Sequence, residues 1–282
     1  MKRYLWMLLF TLIPLSHSFA SDLPFGPGER IDYSVSWVKI NAGQLSLEIA
    51  PMASVKGEKC WHFVMTGRTS GFVDVFYKVR DRIDAYTNLA ITHSVFYAKK
   101  TRGSKQKDEK IDFFWDRQQA RYSKNGCIRK VVKIQAGTFD PLSVFYFFRL
   151  KPLVPGQVVR VPVSDGKKCV VGQGKVIRRE PIQIGKKTYD CVLIIPDLRH
   201  IGGVFRHGKD SRMKMWLTSD ALHIPIRIET RVKVGTFRVE MTSFKTGLPI
   251  PSISLKLAKT YSPSLDVGPI TNTPGQAFII SR

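Results

Sequence analysis

A mainly β fold, a curved antiparallel sheet or open β-barrel around one central buried helix, is predicted by three observations. Apolar and polar residues alternate with period two over most of the chain, Pro, Gly and Asn-Gly pairs punctuate the alternation, and one stretch breaks it. That stretch is Asp140 to Pro155, DPLSVFYFFRLKPLVP. Asp140 fits a helix N-cap and Pro141 the first helical position, and Leu142, Val144, Phe145, Tyr146, Phe147, Phe148 and Leu150 follow. A helix from Asp140 to Leu150 has almost no polar face, so it must be buried nearly all round, inside the curve of the sheet. Burying five such side chains stabilises the fold by on the order of 10 kcal/mol before entropy.

The strands follow in order. Glu29 to Val38 alternates strictly, with Ile31, Tyr33, Val35 and Trp37 on one face and Asp32, Ser34 and Ser36 on the other. Asn41-Ala42-Gly43 reads as a hairpin turn, after which Leu45, Leu47 and Ile49 return on the apolar side. Trp61, Phe63 and Met65 mark a third strand. Phe72 to Tyr77 is mixed, a helical turn or a strand, with Phe76 and Tyr77 expected beneath the sheet, and Lys78 to Tyr86 is strand again. Asn125-Gly126 joins Gln119–Lys124 to Ile128–Ile134. Beyond the helix, strands are expected over Val158–Val163, Cys169–Glu180, Thr188–Ile195, Met213–Leu217, Ile224–Val234 and Thr236–Phe244. Turns fall at Asp165-Gly166, Gly185-Lys186, Ser219-Asp220 and Gly235-Thr236.

Three parts are expected along the chain: a signal peptide at 1–20, a single β-rich domain at 21–246 and a Pro-rich extended tail at 247–282. Lys2 and Arg3, the apolar run Tyr4 to Leu15 and Ser18-Phe19-Ala20 make a secretory signal cleaved after Ala20. The run is too short to span a bilayer, and no second adequate span follows. A periplasmic location is therefore expected. The formal charge of +23 is strongly basic, and the signal takes only Lys2 and Arg3 from it. An exported protein meets anionic headgroups and wall polymers rather than nucleic acid. Twelve Lys or Arg residues against four acids lie between Lys99 and Lys133, interleaved with Ile111, Phe113 and Trp115. Cys60, Cys127, Cys169 and Cys191 fit no metal pattern; they form two bridges in one of three pairings or remain free thiols.

No catalytic constellation is legible. His62, His93, His200, His207 and His223 stand in no HExxH, GxSxG or Cys/His spacing, and Asp74, Asp81 and Asp84 are interrupted by Lys78, Arg80 and Arg82, which reads as ion pairing. No enzyme activity, cofactor or metal is expected. Two binding sites are. Trp37, Phe63, Leu142, Phe145, Phe148 and Trp216 are the candidates to line a ligand cavity between sheet and helix. In the loop RHIGGVFRHGKD, Gly202-Gly203 frees the backbone while Arg199, Arg206, His207 and Lys209 supply donors to an anion.

Three segments, GERIDYSVSWVKINAGQLSLEI, DPLSVFYFFRLKPLVPGQ and MWLTSDALHIPIRIETRVKVGTFRVEM, together resemble the exported bacterial proteins grouped as the domain of unknown function 3108 family. The resemblance spans roughly Phe25 to Lys245 and implies a periplasmic β-rich domain without a known activity to carry over. Tyr33, Trp37, Gly43, Pro141, Tyr146, Arg149, Gly156, Trp216, Asp220 and Pro225 match its pattern and read mostly as packing and turn positions. The function expected first is non-enzymatic binding of an amphiphilic or lipid-like ligand in the concavity of the sheet. The alternative is a structural or interaction protein whose basic surface binds envelope polyanions or a protein, with association at a membrane surface and no nucleic acid.

Overall fold

The computed structural model describes residues 23–197, 212–232 and 235–248. The signal at 1–20, the loop Arg199–Asp210 and residues 249–282 of the tail lie outside them. The described residues form one fourteen-stranded antiparallel sheet with two short helices. Its first part runs β1 (Arg30–Trp37), β2 (Ile40–Val55), β3 (Glu58–Thr69), α1 (Gly71–Asp74), β4 (Val79–Asn88), β5 (Ser94–Gly103), β6 (Lys107–Phe114), β7 (Gln119–Lys124) and β8 (Cys127–Lys133). After α2 (Ser143–Arg149) come β9 (Val158–Ser164), β10 (Cys169–Ile184), β11 (Lys187–Asp197), β12 (Arg212–Thr218), β13 (Pro225–Val232) and β14 (Gly235–Lys245). Each strand pairs with its neighbours in sequence, and the two meanders join where β1 pairs with β14, leaving β8 and β9 as the edges. No helix among the described residues is long and apolar enough to cross a membrane.

Alternation puts one apolar face inward. Across β2 to β7 the cross-strand row Ile49, Phe63, Ala85, Tyr97, Ile111 and Tyr122 is continuous and buried. Register shifts in β1, β2, β4, β7, β10 and β12 bend the sheet around this face. The sheet does not close into a barrel. The chain between β8 and α2 fills part of the seam: Ser94 donates to the Thr138 carbonyl at 3.1 Å, while Phe139 donates to Pro162 at 2.9 Å and accepts from Ser164 at 2.8 Å. The turn between β9 and β10 tucks inside the curl, where Gly166, with φ of +77°, leaves no room for a side chain beside Tyr122 and Ile111.

The helix starts as its sequence requires. Asp140 Oδ1 accepts from the N–H groups of Leu142 at 2.8 Å and Ser143 at 2.9 Å, and Val144 donates to the Asp140 carbonyl, so the first turn is capped at the expected residue. Burial pushes the Asp140 carboxyl upward, against the hydrogen bonds from Ser143, Ser94 and Leu142 that favour its charge. Regular α-helix covers only Ser143–Arg149, shorter than Asp140 to Leu150. Tyr146 stacks on Phe63 of β3 with ring centroids 3.9 Å apart, and Phe25 meets Trp61 and Tyr146 edge to face. On the other side the Phe148 ring lies against Gly174 of β10; a Cβ there would stand 2.5 Å from it.

Arg149, on the otherwise apolar helix, is 1% exposed and pairs with the equally buried Glu29, Nη1 to Oε1 at 2.5 Å and Nη2 to Oε2 at 3.0 Å. Its remaining donors reach the carbonyls of Leu222 and Pro24, and its plane lies 4.9 Å from the Phe25 ring centroid. His223 Nδ1 donates to the Arg149 carbonyl at 2.9 Å. One side chain thus joins the helix, the segment before β1 and the turn between β12 and β13.

Two sequence expectations are corrected and one left open is decided. The first hairpin turns at Val38-Lys39, both at positive φ, whereas Asn41-Ala42-Gly43 lies within β2 at the bulge opposite Val35 and Ser36. Phe76 and Tyr77 are exposed, not beneath the sheet, because α1 ends the strand early and swings the segment past the sheet end. All four cysteines are free: Cys60 and Cys191 are buried, with thiols pushed up to about 12 by burial, Cys169 is half-buried and Cys127 exposed.

Removing one partner of the buried pair strands a charge, so Arg149→Met is expected to lower the unfolding free energy by about 3 to 5 kcal/mol in urea titrations, and the double variant with Glu29→Gln to regain part of it. Gly174→Ala overpacks the same interior from the opposite side, and an independent loss of about 1 to 3 kcal/mol is expected in the same assay.

Candidate functional site

Five of the six predicted cavity residues come together. Phe63, Leu142, Phe145, Phe148 and Trp216 belong to one buried cluster, each no more than 8% exposed. Trp37 stands half-buried at the rim of the concave face, stacked on Phe237 at 6.3 Å. Trp216 is buried on β12, at 6% exposed. Its cross-strand partners are Leu193 and Arg227, and its Nε1 donates to Glu180 Oε1 at 2.7 Å. Arg199, Arg206, His207 and Lys209 lie outside the described residues.

The outer face of β1 to β5 carries a groove of about 830 Å³. Its floor follows from register. One outward row runs Ser34, Gln44, Arg68, Arg80 and Arg102 across β1 to β5, and the next runs Asp32, Ser46, Thr66, Arg82 and Lys100. With Arg30, six basic side chains line the groove against Asp32 and Asp81, and Asp81, two places before the inward Ile83, is paired with Lys99 at 2.7 Å. Arginines directly opposite one another across three strands repel, and each needs a partner. Arg68 donates to Gln44 Oε1 at 3.0 and 2.6 Å, Arg80 pairs with Asp74 at 2.5 Å, and Arg102 pairs with Asp108 at 2.7 Å. Hydrogen bonds from Arg80 and Thr69 hold the Asp74 carboxyl at about 2. A neutral amide is a weak counterpart for Arg68, and the two carboxylates approach from outside the row.

The tight acidic group Asp74, Asp81 and Asp84 is accounted for by ion pairs with Arg80, with Lys99, and with His62 and Arg82. Nothing in it brings two free carboxylates together. Among the described residues no group of three or more His, Cys, Asp or Glu is placed to hold a metal.

A family model described as "Protein of unknown function (DUF3108)" matches residues 32–242. The chain belongs to the DUF3108 family. No curated protein matches it. Among solved structures, the chain is similar to a β-barrel-like protein of the domain of unknown function DUF1849 from Brucella abortus, at 9% identity and a TM-score of 0.49, over 79% of this chain and 98% of that one. The matched span of this DUF3108 protein contains the cavity candidates, the helix and nearly all of the groove.

Sequence reasoning missed the groove. The basic surplus it located between Lys99 and Lys133 contributes only Lys100 and Arg102, while Arg30, Arg68, Arg80 and Arg82 come from three earlier strands. The signal was present as outward positions of alternating strands, but only the pairing register places these charges side by side.

Asp84, on the outer face beside the groove, sets a pH dependence. Burial pushes its carboxyl upward, yet hydrogen bonds from His62 and Arg82 outweigh this and hold it at about 2. The folded value lies below the unfolded one, so its contribution is complete above about pH 4 and is lost as pH falls toward 2. Acid unfolding followed by circular dichroism is expected to be less steep over this window in Asp84→Asn than in wild type.

Proposed function

We propose that this DUF3108 protein is a non-enzymatic envelope protein that binds a phosphate-bearing anion in the groove on β1 to β5. The carrying observation is the outward row Arg68, Arg80 and Arg102, three guanidinium groups at successive strand positions with incomplete local neutralisation. Guanidinium forks match phosphate oxygens in pairs, and a strand spacing of about 4.8 Å suits groups spanning more than one phosphate. The secretion signal read in residues 1–20 supports an envelope setting, where lipid headgroups and phosphorylated polymers supply this chemistry. The reading follows the basic-surface alternative but moves its address from the Lys99–Lys133 segment to the groove.

A second reading, an amphiphile held in the concavity, draws support from two buried phenols. Tyr97 Oη and Tyr146 Oη have no hydrogen-bond partner, and buried polar groups normally find one in protein, water or ligand. Native mass spectrometry of protein taken from its own envelope is expected to show a bound lipid if this reading is right; absence of co-purifying lipid would discard it.

Isothermal titration with inositol hexakisphosphate tests the groove. Replacing Arg80 and Arg102 together by Ala removes two charge-assisted contacts of about 1.5 to 3 kcal/mol each, so affinity is expected to fall a hundredfold or more. Binding is also expected to weaken steeply from low salt to about 0.5 M. Affinity unchanged in the double variant, or indifferent to salt, would refute the proposal.

A further inference from the structure

Beside the Arg68–Arg80–Arg102 row, the sheet ends in the turn between β1 and β2 and the loop between β3 and β4. Of the twelve large apolar side chains exposed among the described residues, six are concentrated here: Val38, Ile40, Phe72, Val75, Phe76 and Tyr77. Val75 is 79% and Phe76 76% exposed. A soluble chain gains nothing by displaying such a cluster, and a patch of this kind marks a contact surface.

The tip is braced rather than loose. Ser70 N–H donates to the Ala42 carbonyl at 2.9 Å and Ser70 Oγ to the Asn41 carbonyl at 2.8 Å, tying the loop to β2. Ser104 N–H donates to the Lys78 carbonyl and Lys78 N–H to Ser104 Oγ, both at 2.9 Å, tying it to the turn after β5. Thr69 Oγ1 and Arg80 both donate to Asp74, the one acid of the loop, which is therefore neutralised. Phe72 and Phe76 pack edge to face at 5.7 Å. The loop's polar groups are turned to the protein and its apolar groups outward.

The surroundings are basic. Lys39 lies in the first turn, Lys78 ends the loop, Lys105 Nζ sits 5.9 Å from the Tyr77 ring centroid, and the groove arginines begin within two residues of the loop. Apolar side chains ringed by cations complement one kind of partner, an anionic bilayer, whose phosphates meet the lysines and arginines while the apolar groups enter the headgroup and acyl boundary.

We infer that this end of the protein docks on an anionic phospholipid surface, with Phe72, Val75 and Phe76 inserted and the adjoining groove facing lipid phosphates. The inference rests on the groove reading for the phosphate contacts and names their source. Co-sedimentation with vesicles of phosphatidylglycerol and phosphatidylethanolamine, with phosphatidylcholine vesicles as control, tests it on the mature protein. The exposed pair Val75→Ser and Phe76→Ser is expected to leave the melting temperature and inositol hexakisphosphate affinity unchanged while lowering vesicle partitioning about tenfold or more. Arg80→Ala with Arg102→Ala should weaken both kinds of binding. Soluble phosphate binding without vesicle binding, or a tip variant that sediments with vesicles like wild type, overturns the inference and leaves the groove reading standing. Tip variants that lose the vesicles while groove variants keep them would uphold insertion and dismiss the groove. Wild type that dimerises in sedimentation velocity, becomes monomeric on tip substitution and ignores vesicles would assign the tip to a second copy of the chain and overturn the inference.

Discussion

The pairing of Arg149 with Glu29 inside the curl of the sheet is the constraint on which the rest of the architecture turns. Charges with 0% and 2% of their side-chain surface exposed hold a position only when nearly every donor and acceptor is matched, and here Leu222, Pro24 and the Phe25 ring complete what Glu29 begins. Three segments far apart in sequence must therefore meet at one place. Once they do, the helix axis is set, Tyr146 falls on Phe63 and Phe148 falls on Gly174. An apolar helix alone could slide or rotate within an apolar trough at little cost; the ion pair removes that freedom.

With its concave side occupied by the helix, the sheet presents its chemistry outward. The strands that bury Phe63, Ala85 and Tyr97 on one face put Arg68, Arg80, Arg82, Lys100 and Arg102 on the other. Cross-strand repulsion among these cations is met by Gln44, Asp74, Asp84 and Asp108, none of which lies between the arginines of the row. The apolar tip continues the same end of the sheet, so cationic and apolar features share one side of the molecule.

The fold was legible wherever a local rule sufficed. Alternation located the strands, Asn125-Gly126, at φ of 50° and 80°, turned a hairpin as its residue types require, and Asp140-Pro141 announced the helix through its cap. Reading failed where two local solutions competed. Asn41-Ala42-Gly43 has turn chemistry, but the β1–β2 register places the reversal at Val38-Lys39 and uses the triplet as a bulge. Phe72 to Tyr77 has the composition of a buried segment, and only the early end of β3 sends it into solvent.

By itself the sequence determined which residues alternate, where the helix is capped, that the family is DUF3108 and that the chain is strongly basic, because each of these depends on neighbours along the chain or on composition. Only the tertiary structure decided that Arg149 meets Glu29 across 120 residues, that Gly174 makes room for Phe148, and that arginines from three strands form one row beside an exposed apolar tip. These are properties of register and curvature. They arise from pairings between distant segments, which no local spacing of residue types encodes.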